Sequence, residues 1–92
     1  MIKVKIYTTT NCSFCESAKR FLEQKGIGFE AIDCTSDRSQ LMALMEKHSW
    51  RTVPMIFINN EFIGGFRELV AFDANGQLEK SLREDSLNQD RL

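Results

Sequence analysis

Between Tyr7 and Phe14 the hydrophobic period of this chain changes from that of a strand to that of a helix. Upstream, Ile2, Val4 and Ile6 alternate with Lys3 and Lys5, so apolar side chains share one face and charges the other. Thr8, Thr9, Thr10 and Asn11 break the alternation with turn-tolerant polar residues. From Ser13 the apolar positions are Phe14, Ala18, Phe21 and Leu22, a helical spacing that ends at Lys25-Gly26. Phe29 to Ile32 then reads as a second strand, closed by Asp33. A strand, a helix and a strand in this order place two parallel strands side by side through a right-handed crossover.

The rest of the chain extends that unit. Asp37 is an N-cap for a second amphipathic helix marked by Leu41, Leu44 and Met45 and reaching about His48. Met55 to Ile58 is a short apolar run, hence a buried strand, and Asn59-Asn60 turns it into Glu61-Phe62-Ile63 as a hairpin. Gly64-Gly65 ends the hairpin, a third helix starts at Arg67 and runs to Phe72, and Asn75-Gly76 separates it from a short last helix carrying Leu78 and Leu82. The order β-α-β-α-β-β-α-α predicts one mixed four-stranded sheet with helices packed on its faces. Residues 1–84 form the domain, and the polar stretch 85–92 is expected to fray.

With 92 residues there is room for one core and not two. A formal net charge of −1 provides no global field for nucleic acid, membrane or strongly charged substrates. The alternating start lacks the unbroken apolar stretch of a signal peptide, and no segment is long and apolar enough to span a bilayer, so a cytoplasmic protein is expected. Three cysteines, an odd number, argue against a secreted scaffold stapled by disulfides.

Two of those cysteines, Cys12 and Cys15, stand where the first strand passes into the first helix. Unpaired backbone N–H groups and the positive end of the helix dipole meet there, and they favour a thiolate, the attacking species in disulfide exchange. Cys15 lies three residues on and on the same helical face, so it can reach back to attack Cys12 once Cys12 holds a mixed disulfide. Two other readings of the pair exist: half of a zinc site completed by Cys34 and His48, or two unreactive core thiols.

Ile6-Tyr7-Thr8, Cys12-Ser13-Phe14-Cys15, Thr52-Val53-Pro54, Ile56-Phe57-Ile58, Ile63-Gly64-Gly65 and the segment from Ala71 to Leu78 together resemble the glutaredoxins, in the same order and at similar distances, from Met1 to about Leu82. The resemblance implies a thioredoxin-like α/β fold and a glutathione-dependent thiol–disulfide oxidoreductase. Its substrates would be protein–glutathione mixed disulfides and protein disulfides, with Cys12 as nucleophile and Cys15 as resolving thiol. It implies a cis Val53–Pro54 bond facing the cysteines, with the Val53 backbone pairing to glutathione as an added strand. It also implies glutathione contacts from Phe14, Arg51, Thr52, Val53, Pro54, Gly65, Phe66 and Arg67. Arg51 would meet the glycyl carboxylate, and the amides after Gly64-Gly65 the γ-glutamyl end.

This chain departs from the family's frequent pattern at three places. Thr9 stands where many members have a lysine, Ser13-Phe14 replaces Pro-Tyr, and Arg67 replaces an aspartate. Thr9 removes a charge from carboxylate recognition, and Arg67 repels a γ-glutamyl ammonium. Two further roles are similar to known branches of the family. In one, Cys12 and glutathione from two subunits hold a bridging 2Fe–2S cluster, so that a monomer becomes a dimer. In the other, Gly65-Phe66-Arg67 is similar to donors that are fed by thioredoxin reductase and reduce ribonucleotide reductase. No metal is needed for the exchange cycle itself. Of the remaining residues, Cys34 reads as an ordinary thiol at the same sheet edge as Cys12, His48 as a solvated or C-capping side chain, Trp50 as packing beside the loop before Pro54, and the methionines as core filler.

Overall fold

The computed structural model describes residues 3–81. The elements are β1 (Val4–Thr8), α1 (Ser13–Gln24), β2 (Glu30–Asp33), α2 (Arg38–His48), β3 (Met55–Ile58), β4 (Glu61–Gly64) and α3 (Phe66–Ala74). The chain is helical again over residues 77–81, and the predicted positions of Ile2, Leu82 and the stretch 85–92 lie outside the described residues. The sheet order is β2-β1-β3-β4, with β1 and β2 parallel and the other two pairs antiparallel. This is the mixed four-stranded sheet that the alternation of periods predicts.

Side-chain alternation sorts the core into two layers. Val4, Ile6, Ile56 and Ile58 face α1 and α3, where Ala18, Leu22 and Leu69 close over them. On the other face Met55 and Phe57 meet Leu41 of α2, with Tyr7, Ile32, Trp50 and Phe62 packed around. All four β3 side chains are buried, as a strand covered on both faces requires. The hairpin turn at Asn59 and Asn60 has φ of 52° and 69°, the left-handed pair that matches strand twist. Lys25 Nζ reaches Asp73 Oδ2 at 2.7 Å and ties the end of α1 to that of α3.

Several boundaries and roles differ from expectation. Phe29 packs against the core just before β2, which begins at Glu30. α3 starts one residue earlier, at Phe66, because Gly65 serves as its N-cap. Met42 is 66% exposed and fills no core. His48 is half-buried rather than fully solvated: its ring lies against Phe62 at 4.8 Å and Phe57 at 5.2 Å between centroids. Phe57 and Phe62 are direct cross-strand partners, so β3 and β4 present one aromatic surface under the end of α2. The cap of α2 is Ser49, in the left-handed region with φ of 53°.

Candidate active site

Cys12 is the N-cap of α1: its backbone is extended, and its carbonyl accepts the Glu16 N–H at 3.2 Å. The Cys15 N–H points at Cys12 Sγ, 3.1 Å away. Cys12 and Cys15 are joined as a disulfide with their Cα atoms 5.2 Å apart. In the reduced protein the same amide and the positive end of α1 face a Cys12 thiolate, which is the arrangement that favours sulfur in its reactive form. Cys12 is half-buried whereas Cys15 is 1% exposed, so an external sulfur reaches Cys12 first.

The loop carrying Cys12 is held from the neighbouring strand end. Thr35 Oγ1 accepts the Thr10 N–H at 2.8 Å and stands 2.8 Å from the Thr10 hydroxyl. The Thr35 N–H in turn donates to Asp33 Oδ1 at 2.8 Å. The Thr35 side chain first, and its backbone second, hold the Asp33 carboxyl below its ordinary range. Parallel pairing of β1 and β2 brings these loops to one edge of the sheet.

Val53 approaches from the opposite direction, its carbonyl oxygen 3.7 Å from Cys12 Sγ, and the Val53–Pro54 peptide is cis. Beside them runs a groove of about 270 Å³ lined by Phe14, Trp50, Thr52, Val53, Pro54, Gly65, Phe66, Arg67 and Glu68. Phe14 and Phe66 stack across it at 6.4 Å. Seven of the eight residues that the family resemblance marks for glutathione therefore stand together. Arg51 does not: it lines a second depression with Met42, Met45, Glu46 and Ser49, and Trp50 borders both.

Two groove residues were not marked by the sequence. The Glu68 carboxylate accepts the Gly65 N–H at 2.8 Å, reaching back from the first turn of α3. Its side chain packs on Gly64, which has φ of +129°, and a Cβ there would meet Glu68 Cγ at 2.5 Å. The close approach that this glycine permits is thus made by the protein's own carboxylate. Trp50 stands edge-on to Phe62 at 5.3 Å, and its Nε1–H is buried without a hydrogen-bond partner among the described residues. The spacing from Gly65 to Glu68 was the signal for Glu68, and Trp50 stands beside the loop before Pro54 as its sequence position suggested, without a sign that it borders a groove.

Cys34 is 0% exposed, with Sγ near Ile32 O at 3.8 Å and Gln40 Oε1 at 3.9 Å. Burial pushes its thiol up, and Asp37 and Asp33 add to the effect. Cys34 and His48 therefore have partners away from the Cys12–Cys15 pair, and no group of three or more metal-ligating side chains occurs among the described residues. The same residues include no helix long and apolar enough to cross a membrane.

Comparison with known proteins agrees with this geometry. A sequence model of the glutaredoxin family matches residues 4–63. Glutaredoxin 3 of Escherichia coli is 35% identical over a match covering 90% of this chain and 100% of that protein. The crystal structure of wheat glutaredoxin superposes with a TM-score of 0.81 at 33% identity, covering 88% of this chain and 79% of that one. A buckwheat glutaredoxin–glutathione complex superposes with a TM-score of 0.82 at 26% identity, covering 88% and 76%.

Proposed function

The chain belongs to the glutaredoxin family and is a thiol–disulfide oxidoreductase, and on that premise we propose that glutathione is its reductant and that Cys12 carries the glutathionyl group. The observation that carries this reading is the groove leading from Cys12 Sγ past the Val53 backbone to the start of α3. Its volume and the Val53 backbone at its edge suit an extended tripeptide, and a structural relative from buckwheat was solved as a glutathione complex.

In the proposed cycle the Cys12 thiolate attacks the glutathionyl sulfur of a protein–glutathione mixed disulfide. The bond between the two substrate sulfurs breaks, the protein leaves as a thiolate, and a Cys12–glutathione disulfide forms. A second glutathione thiolate then attacks the glutathionyl sulfur, which releases glutathione disulfide and restores Cys12. Alternatively Cys15 attacks Cys12 Sγ and expels glutathione, leaving the Cys12–Cys15 disulfide seen here. Protein disulfides enter the same cycle by direct attack of Cys12. The Cys15 N–H, 3.1 Å from Cys12 Sγ, stabilises the sulfur each time it leaves as a thiolate.

Phe14 and Phe66 form the apolar wall of the site, Thr52 and Val53 its peptide-pairing edge, and Gly65 its close approach to the ligand. Exposed Arg67 stands at the end that receives the γ-glutamyl group and weakens binding of its ammonium. A bridging 2Fe–2S cluster would take one Cys12 sulfur from each of two subunits and two glutathione sulfurs, with buried Cys15 left out of the ligand set.

The reading is tested by comparing NADPH consumption in two coupled assays on a glutathionylated protein. Glutathione with glutathione reductase should sustain turnover. If thioredoxin reductase without glutathione sustains it instead, the chain is a reductase-fed donor and the glutathione assignment fails.

A further inference from the structure

Trp50 Nε1 is a buried donor with no partner, at the edge of the groove assigned to glutathione. Leaving such a group unpaired is unfavourable, and native structures seldom do so without cause. The atom has essentially no exposed surface, so the groups packed around it in the protein are the ones placed to pair with it.

Two acceptors are near, and of these the Glu68 carboxylate is the one on a side chain that can turn. Trp50 Cζ2, Glu68 Oε1 and the Pro54 carbonyl oxygen stand 3.6, 3.3 and 3.5 Å from the single point that a Gly65 Cβ would occupy. Nε1 and Cζ2 are both bonded to Cε2 of the indole, so the unpaired N–H lies one ring bond from the atom that approaches that point. The Glu68 carboxylate meanwhile caps the Gly65 N–H at 2.8 Å. That amide opens α3, where a carboxylate ligand would bind. Two carboxylates cannot share it.

We propose that Trp50 and Glu68 form a latch on the γ-glutamyl end of the groove. In the free protein Glu68 holds the Gly65 N–H. When the γ-glutamyl carboxylate of glutathione takes that amide, Glu68 turns to accept the Trp50 Nε1–H. One donor is unpaired before the exchange and none after it, so the rearrangement favours the bound state. Trp50 is a positioning residue here: it acts on the ligand only through Glu68. The latch rests on the glutathione reading, and its test separates the two.

The test uses the full chain carrying Cys15→Ser, equilibrated with glutathione disulfide and glutathione, with the Cys12 adduct quantified by mass spectrometry. Trp50→Phe should lower the adduct equilibrium constant about three- to tenfold, the effect of one net hydrogen bond. The same substitution should leave the melting temperature unchanged or raise it, since it removes the unpaired donor and keeps an aromatic ring. In a Glu68→Ala background Trp50→Phe should have no effect on the adduct. Emission from Trp50, the sole tryptophan, should shift on adduct formation in the parent and not in Glu68→Ala. A change below about twofold on Trp50→Phe, or an equal change in both backgrounds, overturns the latch. A parent chain that forms no adduct at all overturns the glutathione reading beneath it.

Discussion

The carbonyl oxygen of Val53 stands 3.7 Å from Cys12 Sγ although the two residues are 41 apart in sequence. β1 delivers Cys12 to one edge of the sheet, and the segment entering antiparallel β3 delivers Val53 to the same edge. The Cys12 sulfur and the Val53 backbone are therefore neighbours by topology, and the disulfide between Cys12 and Cys15 sits at their junction.

The three thiols of the reduced protein should differ sharply in reactivity. At neutral pH an alkylating reagent should modify half-buried Cys12 first, with Cys15 and Cys34, 1% and 0% exposed, reacting only as the chain opens. Peptide mapping after a short iodoacetamide pulse reads this order. Labelling of Cys34 ahead of Cys12 would contradict it.

Cys34 should also make stability fall at alkaline pH. Its thiol is raised in the folded chain, first by burial and then by Asp37 and Asp33. The unfolded thiol ionises near about pH 8.5, so the favourable burial of the neutral form is complete below that pH and is lost as pH rises toward the folded value. Denaturant midpoints of the reduced protein should decline from about pH 8.5 upward, and Cys34→Ala should flatten that decline. An identical pH profile in the variant would show that other groups cause it.

Gly64 and Gly28 should respond oppositely to alanine. Gly64 has φ of +129° and Glu68 Cγ where a Cβ would go, whereas a Cβ on Gly28 meets nothing within 4 Å. Gly64→Ala should cost about 2–4 kcal/mol through backbone strain and overpacking. Gly28→Ala should be neutral or stabilise by about 0.5 kcal/mol through the unfolded chain. Urea titrations of the two variants measure both. Equal effects would mean that Glu68 does not pack on Gly64 in solution.

Thr35 should anchor the loop before Cys12. Thr35→Val removes the acceptor of the Thr10 N–H, at a cost of about 0.5–1.5 kcal/mol, and should lose hydrogen-exchange protection at the Thr10 amide. Lowering the pH acts in the same direction. Asp33 is held low by Thr35, so its contribution is present above the unfolded carboxylate value near about 3.9 and is lost as pH falls below it. Protection at Thr10 that survives in Thr35→Val would remove Thr35 from this role.

Arg67→Asp should lower the apparent Michaelis constant for glutathione about two- to fivefold, the range of a partly exposed charge contact. It replaces repulsion of the γ-glutamyl ammonium with attraction. An unchanged or raised constant places that ammonium away from Arg67.

Much of this architecture could be read from residue periods, because each element announces itself locally. Alternation marked β1, the spacing of Phe14, Ala18, Phe21 and Leu22 marked α1, and Asn59-Asn60 marked the hairpin. Cys12 and Cys15 were legible because a strand-to-helix junction is itself a local signal. Four residues escaped for the opposite reason. Thr35 acts across 25 residues of sequence and His48 on a surface formed by cross-strand pairing. Trp50 meets the Gly65 backbone only through the fold, and Glu68 looked like an ordinary first-turn carboxylate until Gly64 and Gly65 were seen beneath it. Arg51 is the converse case, since its neighbours in sequence line the groove and it does not.

The central claim is that Cys12 carries glutathione and that Cys15 is required only for protein disulfides, and the two serine variants test it most directly. Each is assayed with glutathione and glutathione reductase on a glutathionylated protein, and separately on a protein disulfide. Cys12→Ser should abolish both activities. Cys15→Ser should retain removal of glutathione, where a second glutathione resolves the adduct, and lose reduction of the protein disulfide. Equal loss of both activities in the two variants would contradict this division of labour.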